Sequence, residues 1–349
     1  MPLYAFGSNG SGQLGVGHTD DLSKPVLVQR SESWSIKQLA AGGNHTVILD
    51  SEGKVRAAGN NEDSRACICG RSTYAFMEMP LWEYNYGGSL EVKQIACSWS
   101  ASYLLLADGT VFVCGSGASG ELGLGEGIVG SRVLRRVPNF PPEGLQAVAI
   151  GASMGHVVTV LSDGSVYGWG KGRQGQLGER KENVWGPQKI QGVAFKATEV
   201  VCGKDFTVVL GDRSAGEMAL LGPDRSDRFG VRSNAPPLSA NVQSVVASWG
   251  SVYALRDDGG IQSWGRDDRG QLPPPKLPPI AAITAGSEHV LALTASGKVF
   301  AWGWGEHGNC GDRTDDQGNV KGRWNEIKIS GRATAVFAGC ATSFIQVTG

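Results

Sequence analysis

Side chains that could catalyse a reaction are present in this sequence, but their spacing does not bring them together. The acidic residues in short turns of the type DSEG, SDG and DDG recur along the chain with the repeat, so they are not presented as a pair for acid and base work. No HExxH or phosphate-loop pattern occurs. We therefore expect a protein that is not an enzyme.

The cysteines give little indication of a metal or disulfide site. There are seven, an odd number, at positions 67, 69, 97, 114, 202, 310 and 340. Only Cys67 and Cys69 form a close pair, and two free thiols in a loop explain that pair better than a metal ligand set. The sequence predicts reduced thiols and no cofactor.

Two further patterns resemble chemical motifs. Residues 115–120, GSGASG, match the dinucleotide GxGxxG pattern, but the following ELGLGEG is not a helix pattern, which argues against nucleotide binding. His45, His156 and His289 recur at one repeat position, which favours a hydrogen bond that stabilises a turn over a chemical role. Trp169, Trp264 and Trp302 also share one position and are expected to pack between repeats.

Composition indicates a folded chain with many turns. Gly occurs 52 times in 349 residues, about twice its usual share, while hydrophobic residues still make up 41%. The net charge of −1 gives no general attraction for nucleic acid or anionic membranes. The opening MPLYAFGSNGSGQLG lacks the pattern of a secretory leader, so we expect a protein of the cytoplasm, and also of the nucleus, without a membrane segment.

A repeat of about fifty residues extends over the whole chain. Each copy has two short apolar runs, a hairpin turn and a third run that ends in Gly, as in VKQIACSWSASYLLLADGTVFVCG at 92–115. The Pro-led runs at 24–28 and 186–190 indicate a fourth, outer strand. The closing Gly suits a tight turn or a close approach to a neighbouring repeat.

The seventh copy is split between the two chain ends. Its first two runs lie at 334–347, whereas its third, LYAFG, lies at 3–7. A single four-stranded unit cannot bury both of its faces, so the units must stack. The sequence thus predicts one all-β domain over residues 1–349, a seven-bladed β-propeller whose ring is closed by the N-terminal strand joining the last C-terminal blade.

The GxxH turns, DG hairpins, VYxWG strands and GxxGQLG loops resemble those of the regulator-of-chromosome-condensation family along the whole chain. AWGWGEHGNCG at 301–311 and FAGCATSF at 337–344 are more specific and are similar to one branch of that family, the small fungal alpha-tubulin suppressor or killer-toxin-insensitivity propellers. The resemblance implies a heterodimer with a small CSL-type zinc-finger protein that binds zinc or iron. It also implies a role in diphthamide formation and, through that partner, in Elongator-dependent modification of wobble uridines in tRNA.

The resemblance also leaves an alternative function. The founding members of the family exchange guanine nucleotide on a Ran-type small GTPase with an acidic face, a protruding wedge and a basic tail. Neither the tail nor an obvious wedge is evident in this sequence.

We expect the partner to bind where large aromatic and charged residues lie in loops. With strands A to D counted outwards, the A–B turns and C–D loops should emerge on one face, and the opposite face is mostly Asp, Gly and Ser. Exposed aromatics are enriched at binding hot spots. The predicted contact residues are Trp99, Lys204, Asp205, Phe206, Trp249, Glu288, His289, Trp304, Glu306 and His307. For Trp99 and Trp249, partner contact and internal packing remain equally good alternatives.

Overall fold

The structure, a computed structural model, describes residues 1–68, 70, 72–84, 90–179 and 181–348. Within these ranges it contains 26 strands and two short 3₁₀ helices, Leu81–Tyr84 and Arg213–Ala215. The strands in chain order are β1 (Leu3–Gly7), β2 (Leu22–Leu27), β3 (Ile36–Ala41), β4 (His45–Asp50), β5 (Val55–Gly59), β6 (Thr73–Glu78), β7 (Val92–Cys97), β8 (Ala101–Leu106), β9 (Val111–Ser116), β10 (Gly130–Arg136), β11 (Ala147–Ser153), β12 (His156–Leu161), β13 (Val166–Gly170), β14 (Val184–Lys189), β15 (Glu199–Cys202), β16 (Thr207–Leu210), β17 (Met218–Leu221), β18 (Val242–Ala247), β19 (Ser251–Arg256), β20 (Ile261–Gly265), β21 (Ala282–Ala285), β22 (His289–Leu293), β23 (Val299–Trp304), β24 (Asn319–Ile327), β25 (Ala333–Ala338) and β26 (Thr342–Val347).

These strands form seven antiparallel sheets, the blades of a propeller. Blades I, II, III and VI each take four successive strands, namely β3 to β6, β7 to β10, β11 to β14 and β21 to β24. Blades IV and V have three strands each, β15 to β17 and β18 to β20. The seven-bladed fold predicted from the repeat is confirmed.

Blade VII joins the two ends of the chain. Its sheet order is β2, β1, β26, β25, so the N-terminal segment supplies two strands and the C-terminal segment the other two. Strand β1 pairs with β26 from Leu3 opposite Gln346 to Gly7 opposite Thr342. The predicted closure of the ring is therefore confirmed, and it includes the outer strand β2.

The expectation of a fourth strand in every blade is wrong for blades IV and V within the described residues. The segment after β20 contains PPPKLPP at 273–279, and the segment after β17 contains Pro223, Pro236 and Pro237. Proline has no N–H to donate to a ladder, so these segments cross the blade edge without pairing as a strand.

The core lies between blades. The second strand of a blade, such as β4 or β12, is buried at every residue because a neighbouring blade covers each of its faces. Outer strands such as β10 are mostly exposed, with only Ser131 and Leu134 of its seven residues buried. Gln38 and Gln94 add polar links, since each exchanges two hydrogen bonds of 2.8–3.0 Å with the backbone of Ile95 or Ile150 in the next blade.

The glycine that ends the third strand is required by its own blade. Gly59 and Gly303 have φ angles of +104° and +101°, and an added Cβ would lie 2.4 and 2.5 Å from the carbonyl oxygens of Asn44 and Glu288. Both carbonyls belong to the A–B turn of the same blade. The predicted tight approach is confirmed: the nearest atoms belong to that turn, and at Gly59 the Cβ of Gln13 in the neighbouring blade VII also lies 3.1 Å away.

Candidate protein-binding face

The antiparallel order places the A–B turns and C–D loops on one face of the ring, as predicted. In blade I, for example, the turn at 42–44 joins β3 to β4, and the loop at 60–72 joins β5 to β6 in the same direction. We call this side the upper face. The hairpins between the second and third strands lie on the lower face.

The A–B turns form a ring around the mouth of the central channel. Their second residues occupy equivalent positions; in blade order they are Gly43, Trp99, Met154, Lys204, Trp249, Ser287 and Cys340. Backbone hydrogen bonds connect neighbouring turns: the amide of Trp99 donates to Met154 at 3.0 Å and that of Trp249 to Ser287 at 2.9 Å. The backbone positions of these side chains are therefore fixed from both sides.

Trp99 and Trp249 meet across this mouth, although they belong to blades II and V. Their ring centroids are 6.0 Å apart at an interplanar angle of 47°. Trp99 also covers Gly43, where an added Cβ would lie 2.6 Å from the indole. Trp99 is nevertheless 38% exposed. The pair thus packs internally over a channel of about 410 Å³ and still presents an aromatic surface at the centre of the upper face.

Five of the predicted contact residues line one cavity between blades IV, V and VI. These residues are Lys204, Asp205, Phe206, Trp249 and Glu288, and the cavity has a volume of about 280 Å³. Pro223, Ser226, Asp227, Arg228, Phe229, Val231, Arg232, Gly250 and Arg266 complete its lining. The structure therefore brings together residues that lie more than eighty positions apart in the chain.

A dense ion-pair network forms one wall of the cavity. The Arg266 guanidinium contacts Glu288 and pairs with Asp268 through two bonds of 2.7 and 2.9 Å. Arg269 approaches the other oxygen of Glu288 at 3.6 Å. The hydrogen bond from Arg266 lowers the pKa of Asp268, and the hydrogen bond with Asp268 raises that of Arg266. The Arg266–Asp268 pair therefore remains charged at neutral pH.

The remaining predicted contacts lie beside this network, in the C–D loop of blade VI. Trp304 donates from Nε1 to Glu306 at 3.1 Å, and the Arg269 guanidinium lies 5.2 Å from the Trp304 ring centroid. His307 Nδ1 lies 2.7 Å from a carboxylate oxygen of Asp21, in the loop that blade VII takes from the N-terminal segment. This cluster continues the surface towards the closure of the ring.

Two of the predicted contact residues, Phe206 and His289, are buried. Phe206 is 4% exposed and its ring packs against Gly203, so it forms the floor of the cavity. His289 is fully buried, and its Nε2 lies 3.0 Å from Ser343 Oγ in blade VII. Neither side chain is on the surface: Phe206 immediately precedes β16, His289 is the first residue of β22, and both side chains point into the interior. Glu288 is also largely buried.

The three recurring histidines share this structural role. His45, His156 and His289 place Nε2 2.9–3.0 Å from Ser102, Thr207 and Ser343 of the next blade. Because those hydroxyls donate to backbone carbonyls, Nε2 carries the proton and donates to the hydroxyl. Burial lowers the pKa of the histidines to about 3, 3 and 4 respectively. A structural role is confirmed, but the hydrogen bond joins blades and does not close the turn.

The tryptophans of the third strands pack between blades as predicted. Trp169 and Trp302 are fully buried and donate from Nε1 to the carbonyls of Glu121 and Gln271, each in the C–D loop of the preceding blade. Trp264 donates in the same way to Val231. These bonds hold the C–D loops of the upper face in place.

Sequence reasoning missed the basic residues of the cavity. The segment that follows β17 in blade IV contributes Arg228 and Arg232, together with the ring of Phe229. The segment that follows β20 in blade V contributes Arg266 and Arg269. The available signal was the departure of PDRSDRFG at 223–230 from the GxxGQLG loop of other blades. A loop that leaves the repeat pattern no longer serves blade packing alone.

The structure also bears on the other motifs. Residues 115–120 end β9 and continue into a turn without a helix. No group of three or more His, Cys, Asp or Glu residues is arranged around a possible metal position in the described ranges; Cys69, of the CxC pair, lies outside them. Neither of the helices in the part of the chain described here is long and apolar enough to span a membrane.

Comparisons with known proteins agree with this architecture. A family model described as an RCC1-like domain matches residues 2–345. An RCC1 repeat-containing protein of Schizosaccharomyces pombe is 31% identical, covering 99% of this chain and 98% of its own length. A secretion-regulating guanine nucleotide exchange factor of Mus musculus is 27% identical, covering 90% of this chain and 76% of its own length.

Solved structures support the same fold at lower identity. Prp20p from Saccharomyces cerevisiae superposes with a TM-score of 0.84 at 20% identity over 99% of this chain and 90% of its own. Human WBSCR16 gives a TM-score of 0.79 at 19% identity over 99% of this chain and 98% of its own. Because the family model matches nearly the whole chain and the S. pombe relative is similar along its full length, the chain belongs to the RCC1-like domain family of β-propellers.

Proposed function

We propose that this protein is a non-catalytic binding propeller that forms a heterodimer with a small CSL-type zinc-finger protein through its upper face. The observation that carries the proposal is the concentration of exposed or half-buried aromatics beside cations on that face, with Lys204 5.6 Å above Trp249 and Arg269 over Trp304. Aromatic and arginine side chains of this kind dominate protein interfaces. The similarity of residues 301–311 and 337–344 to one branch of the family supports the choice of partner.

In this proposal the propeller acts through its partner. The heterodimer supports diphthamide formation on a translation elongation factor and, through the Elongator complex, the modification of wobble uridines in tRNA. Direct binding of nucleic acid is not part of the proposal, because the net charge is −1 and the cations of the upper face are interspersed with acids. The sites of action in this proposal are the cytoplasm and the nucleus.

Affinity purification tests the heterodimer. A tagged chain from its source cells should bring down one small, metal-bearing protein in near-equal amount, measured by mass spectrometry and elemental analysis. Trp99→Ala and Trp304→Ala should each weaken its binding by about 2 kcal/mol or roughly 30-fold, as expected for interface hot spots. Tyr74→Ala is the control, since Tyr74 is 50% exposed but lies on the outer strand β6. Isolation of the chain as a clean monomer would contradict the proposal.

A second candidate function is guanine-nucleotide exchange on a Ran-type small GTPase. The exchange factor of Mus musculus, 27% identical over 90% of this chain, favours this alternative. Release of a fluorescent guanine nucleotide from such a GTPase should accelerate when the chain is added. An unchanged release rate at saturating concentrations of the propeller would eliminate it.

A further inference from the structure

The cavity between blades IV, V and VI has the volume and the lining expected of a pocket for one side chain of a protein partner. Its volume of about 280 Å³ lies below the roughly 300–1,000 Å³ of small-molecule sites. Phe206 forms a buried floor, and the half-buried rings of Phe229 and Trp249 form the sides. Such a lining fits a large apolar side chain.

The acids around the cavity already have partners. Both oxygens of Asp227 accept backbone N–H groups, from Val231 at 2.9 Å and from Arg232 and Ser233 at 2.9 and 2.8 Å. Asp205 lies 3.8 Å from the amino group of Lys171. Glu288 is held by the two arginines described above. Each of these carboxylates therefore already has a charged or hydrogen-bonding partner within the chain.

Two cations at the rim of the cavity, in contrast, have no acidic partner among the described residues. Across the ranges that the structure describes, neither Lys204 nor Arg228 has a carboxylate within 4 Å, and both side chains are exposed. Each instead lies over an aromatic ring: Lys204 Nζ is 5.6 Å from the Trp249 centroid and the Arg228 guanidinium 4.2 Å from that of Phe229. Arg266 contacts the Phe229 ring as well, at 4.9 Å. The rings hold these charges at the rim and leave their outward sides unpaired.

We infer that this cavity receives an acidic segment of the partner in which one large apolar side chain is flanked by carboxylates. The apolar side chain enters over Phe206 and Phe229, and the carboxylates pair with Lys204 and Arg228. The inference rests on the proposed function, because it names the part of the upper face that recognises the partner and the chemistry that it recognises.

Peptides test the cavity without the partner. The full chain is titrated into fluorescein-labelled Gly-Asp-Glu-Trp-Glu-Asp-Gly, and binding is followed by fluorescence anisotropy. Replacing the Trp by Ala, or all four acids by Lys, should each weaken binding at least tenfold. Binding of the acidic peptide should also weaken with added salt. Equal affinities of the acidic and basic peptides would overturn the inference.

Variants of the chain locate the site. The double variant Lys204→Glu, Arg228→Glu should weaken binding of the acidic peptide at least tenfold, equivalent to about 1.4 kcal/mol. The matched control is Lys37→Glu, Lys93→Glu, which changes the net charge equally at exposed positions near the lower face. Phe229→Ala provides a second variant without charge reversal, with the same loss expected. An equal loss in the control would show a non-specific charge effect and contradict the inference.

The experiments distinguish a failure of the proposed heterodimer from a failure of the inferred binding of an acidic segment. If a small metal-bearing partner co-purifies as strongly with the Lys204→Glu, Arg228→Glu variant as with the parent chain, the inference is wrong and the proposed heterodimer stands. If no partner co-purifies but the acidic peptide binds at the cavity, the inference stands and the identity of the partner is wrong.

Discussion

At the residue scale, one position of the repeat illustrates how sequence periodicity and burial combine. His45, His156 and His289 recur at the start of a second strand, and from the sequence this recurrence indicated a structural hydrogen bond. Their acceptors, Ser102, Thr207 and Ser343, belong to the next blade about fifty residues further along the chain. Only the ring geometry identifies that partner, because residues that face each other across two blades share no local pattern.

The buried histidines make the stability of the fold depend on pH. Burial lowers the pKa of His156 in the folded state from 6.5 to about 3, with a smaller contribution from Lys171. Below pH 6.5 the unfolded chain therefore binds a proton that the folded chain rejects, so stability falls as the pH falls. This one histidine should cost about 2 kcal/mol between pH 7 and pH 5.

The variant His156→Gln tests this prediction. It keeps an N–H donor but cannot titrate, so its free energy of unfolding by urea should fall by about 2 kcal/mol less than that of the parent chain over this pH range. The control is His18→Gln, which removes one imidazole at a more exposed position outside the interfaces between blades. Equal slopes for His156→Gln and the parent would contradict the assignment.

At the scale of strands and loops, the sequence predicted most of the blades and failed where the pattern changes. Strands whose apolar runs end at DG or SDG turns, such as β8 and β12, appear where expected. The missing outer strands of blades IV and V were not anticipated from the repeat, although their prolines gave the physical reason. The burial of Phe206 was also unforeseen, because its turn looks like the others in the sequence.

The contact between Trp99 and Trp249 is predicted to link two blades that are not neighbours. A tilted aromatic pair at a 6.0 Å centroid distance should have a coupling energy of about 0.5–1.5 kcal/mol. Urea unfolding of Trp99→Ala, Trp249→Ala and the double variant measures this coupling as a double-mutant cycle. Strict additivity of the two single changes would mean that the pair contributes nothing beyond its separate contacts.

At the scale of the whole molecule, blade VII holds the ring together. Removal of residues 338–349 deletes β26, so β1 and β2 lose the strand that connects them to β25. We expect the truncated chain to unfold at a lower temperature and less cooperatively than the parent chain, by more than the loss of twelve residues elsewhere would cause. Differential scanning calorimetry measures this change.

A circular permutant provides the control for that truncation. Joining the original ends by a short linker and opening the chain at 328–332 keeps every strand and makes blade VII continuous. It should unfold as cooperatively as the parent chain. Unchanged melting of the truncated form would show that the ring does not depend on this blade.

The closure of the ring by blade VII determines where a fused tag or a solid support would lie on the molecule. The amide of Val347 donates to the carbonyl of Pro2 at 3.0 Å, so Pro2 and Val347 lie side by side, and the directions of β1 and β26 place both on the lower face. A tag, fluorophore or solid support fused to either end would sit on the side away from the cavity. Immobilisation through such a tag would orient the molecules with the upper face, and its Trp99–Trp249 pair, towards the solution.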